Sequence, residues 1–279
     1  MKALKLSFLL SQRFRKSQKN NGLMGFMARS SSVGILLGVA VLIVALSVVN
    51  GFQQQLVERL LALVPHVEYV SADGVIDNWQ RKQQRLEEQP NVVAAAPFIA
   101  VNAMAQSKGQ LEAAQLRGID PNLESRVSIV NEFISEINLN ELGSGEIVIG
   151  SELAKKLEVT PGTAITLLMT DIHNQQQGLS APVRYQAVVA GIITSHGPID
   201  KQQVLMRLDD MQGLFELQSH QVTGLRITLD DVYSANTEAM RIGQTLDDYV
   251  YVNSWTRTQG SLYQDIQLVR TIVYLSVFL

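Results

Sequence analysis

The feature that most constrains this chain is a long stretch without charged residues near its N-terminus. No Asp, Glu, Lys or Arg occurs between residues 30 and 57, and residues 33–49 (VGILLGVAVLIVALSVV) contain one Ser and two Gly among apolar side chains. A helix needs about 20 mostly apolar residues to span a bilayer, with a lower limit near 17. A helix in the core of a soluble protein is rarely apolar on every face over such a length. The stretch therefore predicts a transmembrane helix.

A secretory signal peptide is the alternative interpretation of this stretch. The apolar part of a signal peptide is about 7–15 residues long, and it ends at a cleavage site of the A-x-A type. Here the apolar run begins only at residue 33 and continues into residues 50–56 without such a site. We therefore expect an uncleaved helix within residues 30–64. The spacing of Leu56, Leu60 and Leu63 predicts that this helix extends beyond the apolar run, either as a rod that couples the membrane to an outer domain or as an ordinary overhang.

The charges divide the chain into two unlike parts. Seven Lys or Arg and no acidic residue precede Glu58, whereas the rest of the chain has 16 basic and 26 acidic residues, so the net charge of −3 combines +7 with −10. Lys and Arg concentrate on the cytoplasmic side of membrane helices. Residues 1–29 are thus predicted to be a cytoplasmic basic segment, either an interfacial amphipathic helix or a disordered arm. The acidic part, residues 65–260, is predicted to lie outside the cytoplasm, which means in the periplasm if the cell is Gram-negative.

A second apolar run lies at the other end of the chain. After Asp265 the sequence reads IQLVRTIVYLSVFL, and the almost wholly apolar part at 271–279 has nine residues. That is too few to cross a bilayer. We expect residues 261–279 to be the start of a second transmembrane helix in a longer, multi-pass protein.

Between the two apolar runs, strands and helices alternate. One strand–helix–strand unit precedes residue 106, and another spans residues 222–253. Just after the first unit, Lys108 and Gly109 predict a hairpin turn. Two such units in one sheet form a ferredoxin-like (split β-α-β) domain. Residues 140–210 are then predicted to be an inserted, mainly β subdomain. The expected fold class is an α+β membrane protein.

Known catalytic and metal-binding patterns do not occur in the sequence. There is no Gly-Lys pair and hence no P-loop, no G-x-S-x-G, no H-E-x-x-H and no Cys. The four His residues are far apart, which favours structural roles over a zinc site. The near-neutral net charge argues against a dedicated nucleic-acid-binding protein. We expect neither enzymatic activity nor a cofactor in this chain.

Short motifs along nearly the whole chain resemble the permease subunits of the Lol lipoprotein-releasing ABC transporter, the LolC/LolE family of MacB-like permeases. Residues 249–274 resemble the LolE branch more than the LolC branch. The matching motifs are Gly34-Ile35, Gly38-Val39-Ala40, Leu46-Ser47, Asn50-Gly51-Phe52, Val64-Pro65-His66, Ala94-Ala95-Ala96-Pro97, Arg117-Gly118-Ile119, Ile149-Gly150-Ser151, Leu153-Ala154, Val159 and Pro161-Gly162.

This resemblance implies a four-helix permease of the bacterial inner membrane, with a large periplasmic domain between its first two helices. It also implies partners: a cytosolic ATPase subunit that hydrolyses ATP, a second permease subunit (LolC-like, or a second copy), membrane lipid, the lipoprotein substrate and a periplasmic lipoprotein carrier. Residues 170–182 form a polar loop at the position of the carrier-recruiting hook of the LolC branch. The loop is shorter than that hook, so we do not expect this subunit to dock the carrier. A long loop between two strands can be another kind of binding element, and the alternative is a passive loop.

Six residues are predicted to contact lipoprotein or its acyl chains, because they lie at the outer ends of the two apolar runs. Ordinary lipid contact is the alternative for the apolar ones, and a favourable interaction with the helix dipole is the alternative for the acidic one. The six residues are Val44, Val48, Phe52, Asp265, Val269 and Ile272.

The leading functional hypothesis is therefore a permease subunit that extracts lipoproteins from the inner membrane. Two alternatives stay open at this point. One is a MacB-type exporter or mechanotransmission permease for another substrate, and the other is a membrane-anchored periplasmic binding module that transports nothing.

Overall fold

The computed structural model describes residues 22–61, 65–170, 182–258 and 271, and the following bounds refer to these residues. The helices are α1 (Gly22–Leu61), α2 (Trp79–Glu87), α3 (Pro121–Val127), α4 (Ser151–Lys156), α5 (Ile199–Gln202), α6 (Leu208–Leu214), α7 (Ala235–Gly243) and α8 (Trp255–Thr258). The strands are β1 (Val67–Ser71), β2 (Val92–Ser107), β3 (Gln110–Ile119), β4 (Ile134–Ser135), β5 (Glu146–Gly150), β6 (Ala164–Met169), β7 (Val183–Ile193), β8 (Gln203–Arg207), β9 (Gly224–Leu229) and β10 (Val250–Ser254).

Helix α1 contains the apolar run. Its segment Gly25–Val48 has 24 residues and a mean hydropathy of 2.5, and none of it is buried against the rest of the protein. At 1.5 Å per residue this segment is about 36 Å long, enough for a hydrocarbon layer of about 30 Å. Within it, the hydroxyl of Ser32 donates to the carbonyl oxygen of Ala28 at 2.8 Å, which satisfies a polar group in an apolar setting. The helix begins at Gly22, before the expected start at residue 30, and it continues past the apolar run to Leu61.

Both predicted strand–helix–strand units are present, and they share one sheet. Strands β10, β1, β9 and β2 lie side by side in that order, and each neighbouring pair is antiparallel. Helices α2 and α7 cover one face of these four strands. Apolar side chains from strands and helices form the core between the two layers: Val67, Tyr69, Leu86, Ala95, Leu225, Ile227, Ala239 and Ile242 are each at most 2% exposed.

Strands β2 and β3 form the predicted hairpin at Lys108 and Gly109. Both turn residues have positive φ, 46° and 83°. Two consecutive residues with positive φ fit a two-residue turn whose twist matches that of the strands it joins. The resulting hairpin keeps ten residue pairs in register, from Phe98–Ile119 to Ser107–Gln110.

The far end of this hairpin belongs to a closed ring of six strands. The pairs run β2–β3, β3–β8, β8–β5, β5–β7, β7–β6 and β6–β2, so each strand has a partner on both sides. Side chains of the ring strands belong to one buried core, which includes small residues such as Ala103, Ala105 and Ala187 and larger ones such as Leu167 and Met206. A small barrel closed in this way leaves few exposed strand edges.

The strands of residues 140–210 therefore complete a barrel with the β2–β3 hairpin. The sequence suggested an inserted subdomain at this position. In the structure, two of the six ring strands come from outside that range, and residues 56–271 form one compact unit. The apolar helical segment belongs to a separate unit.

The loop before β8 is held by one buried carboxylate. Asp200, 2% exposed, accepts hydrogen bonds from the amides of Ser195 (3.0 Å) and His196 (2.9 Å), from the Ser195 hydroxyl (2.6 Å) and from the Ser151 hydroxyl (3.2 Å). The backbone of Asp200 lies so close to Gly150 that a Cβ there would be 2.5 Å from the carbonyl oxygen. This contact accounts for the glycine in the Ile149-Gly150-Ser151 motif.

We expect Asp200→Ala to destabilise the domain by about 1–3 kcal/mol, because it removes the buried acceptor of four hydrogen bonds from partly buried donors. The measurement is urea unfolding of the whole chain in detergent micelles, followed by the fluorescence of Trp79 and Trp255. Asp209→Ala is the matched control: its side chain is 74% exposed and pairs with Arg207 at the surface, so its loss should change the free energy of unfolding by less than about 1 kcal/mol. Equal effects of the two substitutions would contradict a structural role for the Asp200 cluster.

Candidate functional site

The exposed face of α1 carries the first group of predicted site residues. Val44 and Val48 are 62% and 65% exposed. Together with position 52 they recur every four residues, so the three positions lie on one face of the helix. A row of exposed aliphatic side chains on a helix is suited to contact with lipid or acyl chains.

The remaining predicted site residues are not placed. The structure gives Phe52 only as part of the α1 backbone, while Asp265, Val269 and Ile272 lie outside the described residues. Most of the predicted loop, residues 171–181, and most of the predicted second membrane helix lie outside them as well. Their assignments stay predictions.

A row of polar side chains crosses the sheet on the face opposite α2 and α7. Asn253 on β10 is paired with Glu68 on β1, and Glu68 is paired with Arg226 on β9. Alternate residues of a strand point to opposite faces, so these three side chains share one face. Sequence reasoning missed this row, because its members are far apart in the chain and adjacent only through strand pairing.

Two ion pairs connect this row to its surroundings. Arg117 on β3 donates to Glu68 at 2.5 Å, and its guanidinium stacks over the ring of Phe98, 4.7 Å from the centroid. Arg226 pairs with Glu124, which α3 places over the sheet. The side chains of Arg226 and Glu124 are 4% and 3% exposed, so this is a buried ion pair. Ions removed from water in this way need close opposite charges to offset the lost hydration.

Burial and neighbouring charges shift the ionisation of this cluster. Burial of Glu68 opposes its negative charge, but the charges of Arg117 and Arg226 and the hydrogen bond from Arg117 outweigh that effect, so the pKa of Glu68 is below its ordinary value. Burial and then the like charge of Arg117 lower the pKa of Arg226 to about 9, against the attraction of Glu68. At neutral pH both groups remain charged.

A cavity of about 310 Å³ opens beside these charges. Its lining includes Glu68, Arg117, Glu124 and Arg226, and also Pro65 and Trp255, which stand near the two ends of the domain. Ligand pockets in proteins begin at about this size. Of the residues around it, Arg117 and Pro65 belong to the motifs Arg117-Gly118-Ile119 and Val64-Pro65-His66, whereas Glu68, Glu124 and Arg226 had no sequence signal.

A clamp ties the beginning of the domain to its end. The carbonyl oxygen of His66 accepts from the amide of Trp255 at 3.1 Å, and the His66 Nδ1 accepts from the amide of Leu229 at 2.9 Å. The Trp255 indole donates to the carbonyl oxygen of Val232 at 2.8 Å. Both side chains are buried, which agrees with the structural role expected for His66 in the Val64-Pro65-His66 motif.

Comparison with known proteins places this fold in a family. Residues 31–274 match the profile of the MacB-like periplasmic core domain. The chain is 34% identical to the lipoprotein-releasing system transmembrane protein LolE of Haemophilus influenzae over 277 residues, which is 98% of this chain and 66% of that protein. It is 31% identical to the LolC proteins of two Xylella fastidiosa strains, over 96% of this chain and 65% of each of them. The predicted resemblance to the LolC/LolE family is confirmed.

Two further observations concern the length of the relatives that is covered and the similarity to solved structures. The chain spans about two thirds of the length of the curated relatives, 66% for LolE and 65% for LolC. Among solved structures, it resembles the extracellular domain of the ABC-type transporter YknZ from Gram-positive bacteria (TM-score 0.43, 10% identity, 68% of this chain and 98% of that one). It also resembles the periplasmic region of MacB from Actinobacillus actinomycetemcomitans (TM-score 0.41, 7% identity, 75% and 98%).

The His66 clamp should make the domain less stable in mild acid. Burial lowers the pKa of His66 from its ordinary value of 6.5, and a proton on Nδ1 would displace the hydrogen bond that this atom accepts from the Leu229 amide. His66 therefore binds a proton more readily in the unfolded chain than in the folded domain. The contribution of neutral His66 to the stability of the domain is complete above about pH 6.5 and is lost as the pH falls below that value. We expect a loss of roughly 1 kcal/mol between pH 7 and pH 5.5, measured by urea unfolding of the whole chain in micelles.

The variant that tests this assignment is His66→Asn, whose side-chain oxygen can accept from Leu229 without titrating. It should remove most of the pH dependence in this range. The matched control, His220→Asn, alters a side chain that is 47% exposed and should keep the wild-type slope. A slope that survives in the His66 variant would contradict the assignment.

Proposed function

This chain belongs to the family of the MacB-like periplasmic core domain, and on that premise we propose that it is a permease subunit of an ABC transporter that releases lipoproteins from the inner membrane. One observation carries the proposal: an apolar helix of membrane-spanning length, with no buried residue in Gly25–Val48, lies at the start of a chain whose residues 31–274 match this family. The similarity to LolE and LolC over nearly the whole chain supports lipoprotein as the substrate. A hydrophobic substrate anchored in a bilayer also suits a protein that presents an apolar surface at membrane depth.

The architecture of the proposed subunit follows from the strand order. We interpret β1-α2-β2 and β9-α7-β10 as a ferredoxin-like unit, because their antiparallel order β10-β1-β9-β2 is that of two interlocked β-α-β units. The basic residues before α1 then lie in the cytoplasm and the domain in the periplasm, in keeping with the positive-inside rule. Residues 261–279 would begin a second membrane helix of a multi-pass protein.

The proposed partners follow from the division of labour in an ABC transporter. This chain has no P-loop sequence, so ATP would be hydrolysed by a separate cytosolic subunit. A second permease subunit, LolC-like or identical, would complete the membrane path, and a periplasmic carrier would receive the lipoprotein.

Acyl chains would leave the bilayer along one face of α1. Val44 and Val48 are exposed aliphatic side chains, and position 52 continues the same face toward the periplasmic end. Val269 and Ile272 would face them from the second helix, with Asp265 near the polar N-terminal part of the lipoprotein. Residues on the opposite face of α1 would contact bulk lipid or the partner subunit.

Photocrosslinking in the intact transporter tests this path. Crosslinkers placed at positions 44, 48, 52 and 269 should form adducts with lipoprotein before ATP is added, and ATP with the carrier should reduce them. Leu46 provides the matched control, since a helical step of 100° per residue places it about 200° from position 44. It should give few such adducts.

The outcomes separate the alternatives. An assembled, ATP-hydrolysing complex without lipoprotein adducts at any of the four positions would favour a MacB-type exporter or mechanotransmission permease for another substrate. A chain that copurifies with no ATPase would favour a membrane-anchored binding module. If positions 44 and 46 formed equal amounts of lipoprotein adduct in an intact complex, the proposed acyl-chain path along one face of α1 would be wrong.

The loop at 170–182 gives a separate prediction about the carrier. Because the loop is too short for a carrier-recruiting hook, deletion of residues 175–178 should leave carrier binding to the full transporter unchanged, as measured by pull-down with purified carrier. A matched deletion in the equivalent loop of the partner permease should abolish it. Loss of carrier binding in the first deletion would assign the docking role to this subunit.

A further inference from the structure

Strand β10 forms an open edge of the sheet. It lies at the end of the strand order, and no strand among the residues that the structure describes pairs with its other side. Native proteins usually keep edge strands short, bulged, or interrupted by charged residues or proline. The opposite end of the sheet follows this rule, because β4 has only two residues. Strand β10 does not, since its five residues (VYVNS) include no charge and no proline and pair with β1 without a register shift.

The hydrogen bonds between β10 and β1 determine which backbone groups of β10 face outward. The amide of Ala72 donates to the carbonyl oxygen of Tyr249 at 2.9 Å, and the backbone bond of the clamp at the other end of β10 follows the same alternation. In antiparallel strands, residues that bond to the neighbour alternate with residues whose backbone groups point away from it. The N–H and C=O groups of Val250 and Val252 therefore point to the open edge.

The side chains along this edge would also be covered by a further strand. Tyr249 and Tyr251 are 82% and 65% exposed, and they lie on the outer face of the sheet together with Asn253. Val250 and Val252 point to the other face and pack against the core. Tyrosine is enriched in protein interfaces. A strand placed beside β10 would thus supply partners for its outward backbone groups and bury two aromatic rings.

A second copy of β10 fits this edge. In an antiparallel arrangement centred on Tyr251, Val250 of each copy lies opposite Val252 of the other, so every outward N–H and C=O group of these two residues gains a partner. The charges permit the pairing, because β10 itself has none and Asp248, which precedes it, comes to lie opposite Ser254 of the second copy. Such a pair has two-fold symmetry, the commonest symmetry of protein oligomers.

We propose that two copies of this chain associate through β10, with the strands antiparallel and Tyr251 of one copy opposite Tyr251 of the other. The four-stranded sheet of each copy then continues into that of the second. The two-fold axis of an antiparallel pair is perpendicular to the sheet, so both copies can be anchored in one membrane when β10 runs along its surface. The proposal does not depend on which substrate the transporter moves.

Disulfide formation tests this register directly, because the chain has no cysteine of its own. In the proposed pair, the two residues at position 251 form a non-hydrogen-bonded pair, whose Cα atoms are about 4.5 Å apart and within the range of a disulfide. The whole chain with Tyr251→Cys, in detergent micelles under mild oxidation, should therefore form a covalent dimer on a non-reducing gel.

Tyr249→Cys is the matched control for this experiment. Position 249 lies on the same exposed face, but it is opposite residue 253 of the second copy. The two residues at position 249 are then separated by four residues along the strand, about 14 Å, which is too far for a disulfide. This variant should stay largely monomeric on the same gel.

Charged variants test the pairing without a covalent bond. Tyr251→Lys places two positive charges opposite each other and should raise the Kd of the dimer at least about tenfold, as measured by sedimentation equilibrium in density-matched micelles. Tyr249→Lys faces Asn253 of the second copy and should keep the wild-type Kd within about threefold. Because both tyrosines are exposed, neither substitution should change the thermal transition of the domain.

Several results would overturn the proposal. These are a whole chain that stays monomeric up to about 0.1 mM, equal disulfide yields at positions 249 and 251, and an unchanged Kd in Tyr251→Lys. A chain that is monomeric by itself, but whose photocrosslinker at position 251 reacts with a LolC-like subunit in the assembled transporter, would also overturn it and would assign the edge to that subunit.

Discussion

The structure of the domain depends on one unusually long strand. The 16 residues of β2 pair with β9 at one end, through Val92 to Phe98, and with β6 at the other, through Ala103 to Gln106, while β3 follows the second half of the strand. The four-stranded sheet and the six-stranded barrel thus share a rigid hydrogen-bonded element rather than a flexible linker. A shift of one residue in β2 would turn its alternating side chains to the wrong face in both parts at once, so the register of each part constrains the other.

The polar row on the outer face is the exception to the apolar pattern of this sheet. Replacing a buried ion pair by apolar residues is often neutral or stabilising, so stability alone gives little reason for the Arg226–Glu124 pair. The pair lies where α3, the four-stranded sheet and the outer wall of the barrel meet around a cavity. An ion pair needs close opposite charges, so it restricts the position of α3 over the sheet more narrowly than an apolar contact would.

The parts of this fold that could be predicted from the sequence are those that depend on local signals. Alternating strand and helix patterns revealed both strand–helix–strand units, Lys108-Gly109 revealed the hairpin, and the lack of charge revealed α1. The closure of β6 against β2 was missed, because it joins residues 60 to 66 positions apart and no local pattern encodes the pairing. The pairing of Glu68 with Arg117 and Arg226 was missed for the same reason. A short V-E-Y-V strand does not show that its single charged residue will be half-buried beside two arginines.

The cavity and the clamp share residues, and this links recognition to the geometry of the chain ends. Pro65 and Trp255 line the cavity, while His66 and Trp255 are joined by a backbone hydrogen bond that holds β1 beside β10. Coupling between two equilibria is reciprocal. A ligand whose affinity depends on the distance between these residues therefore shifts that distance when it binds, and a force that changes the distance alters the affinity to the same degree.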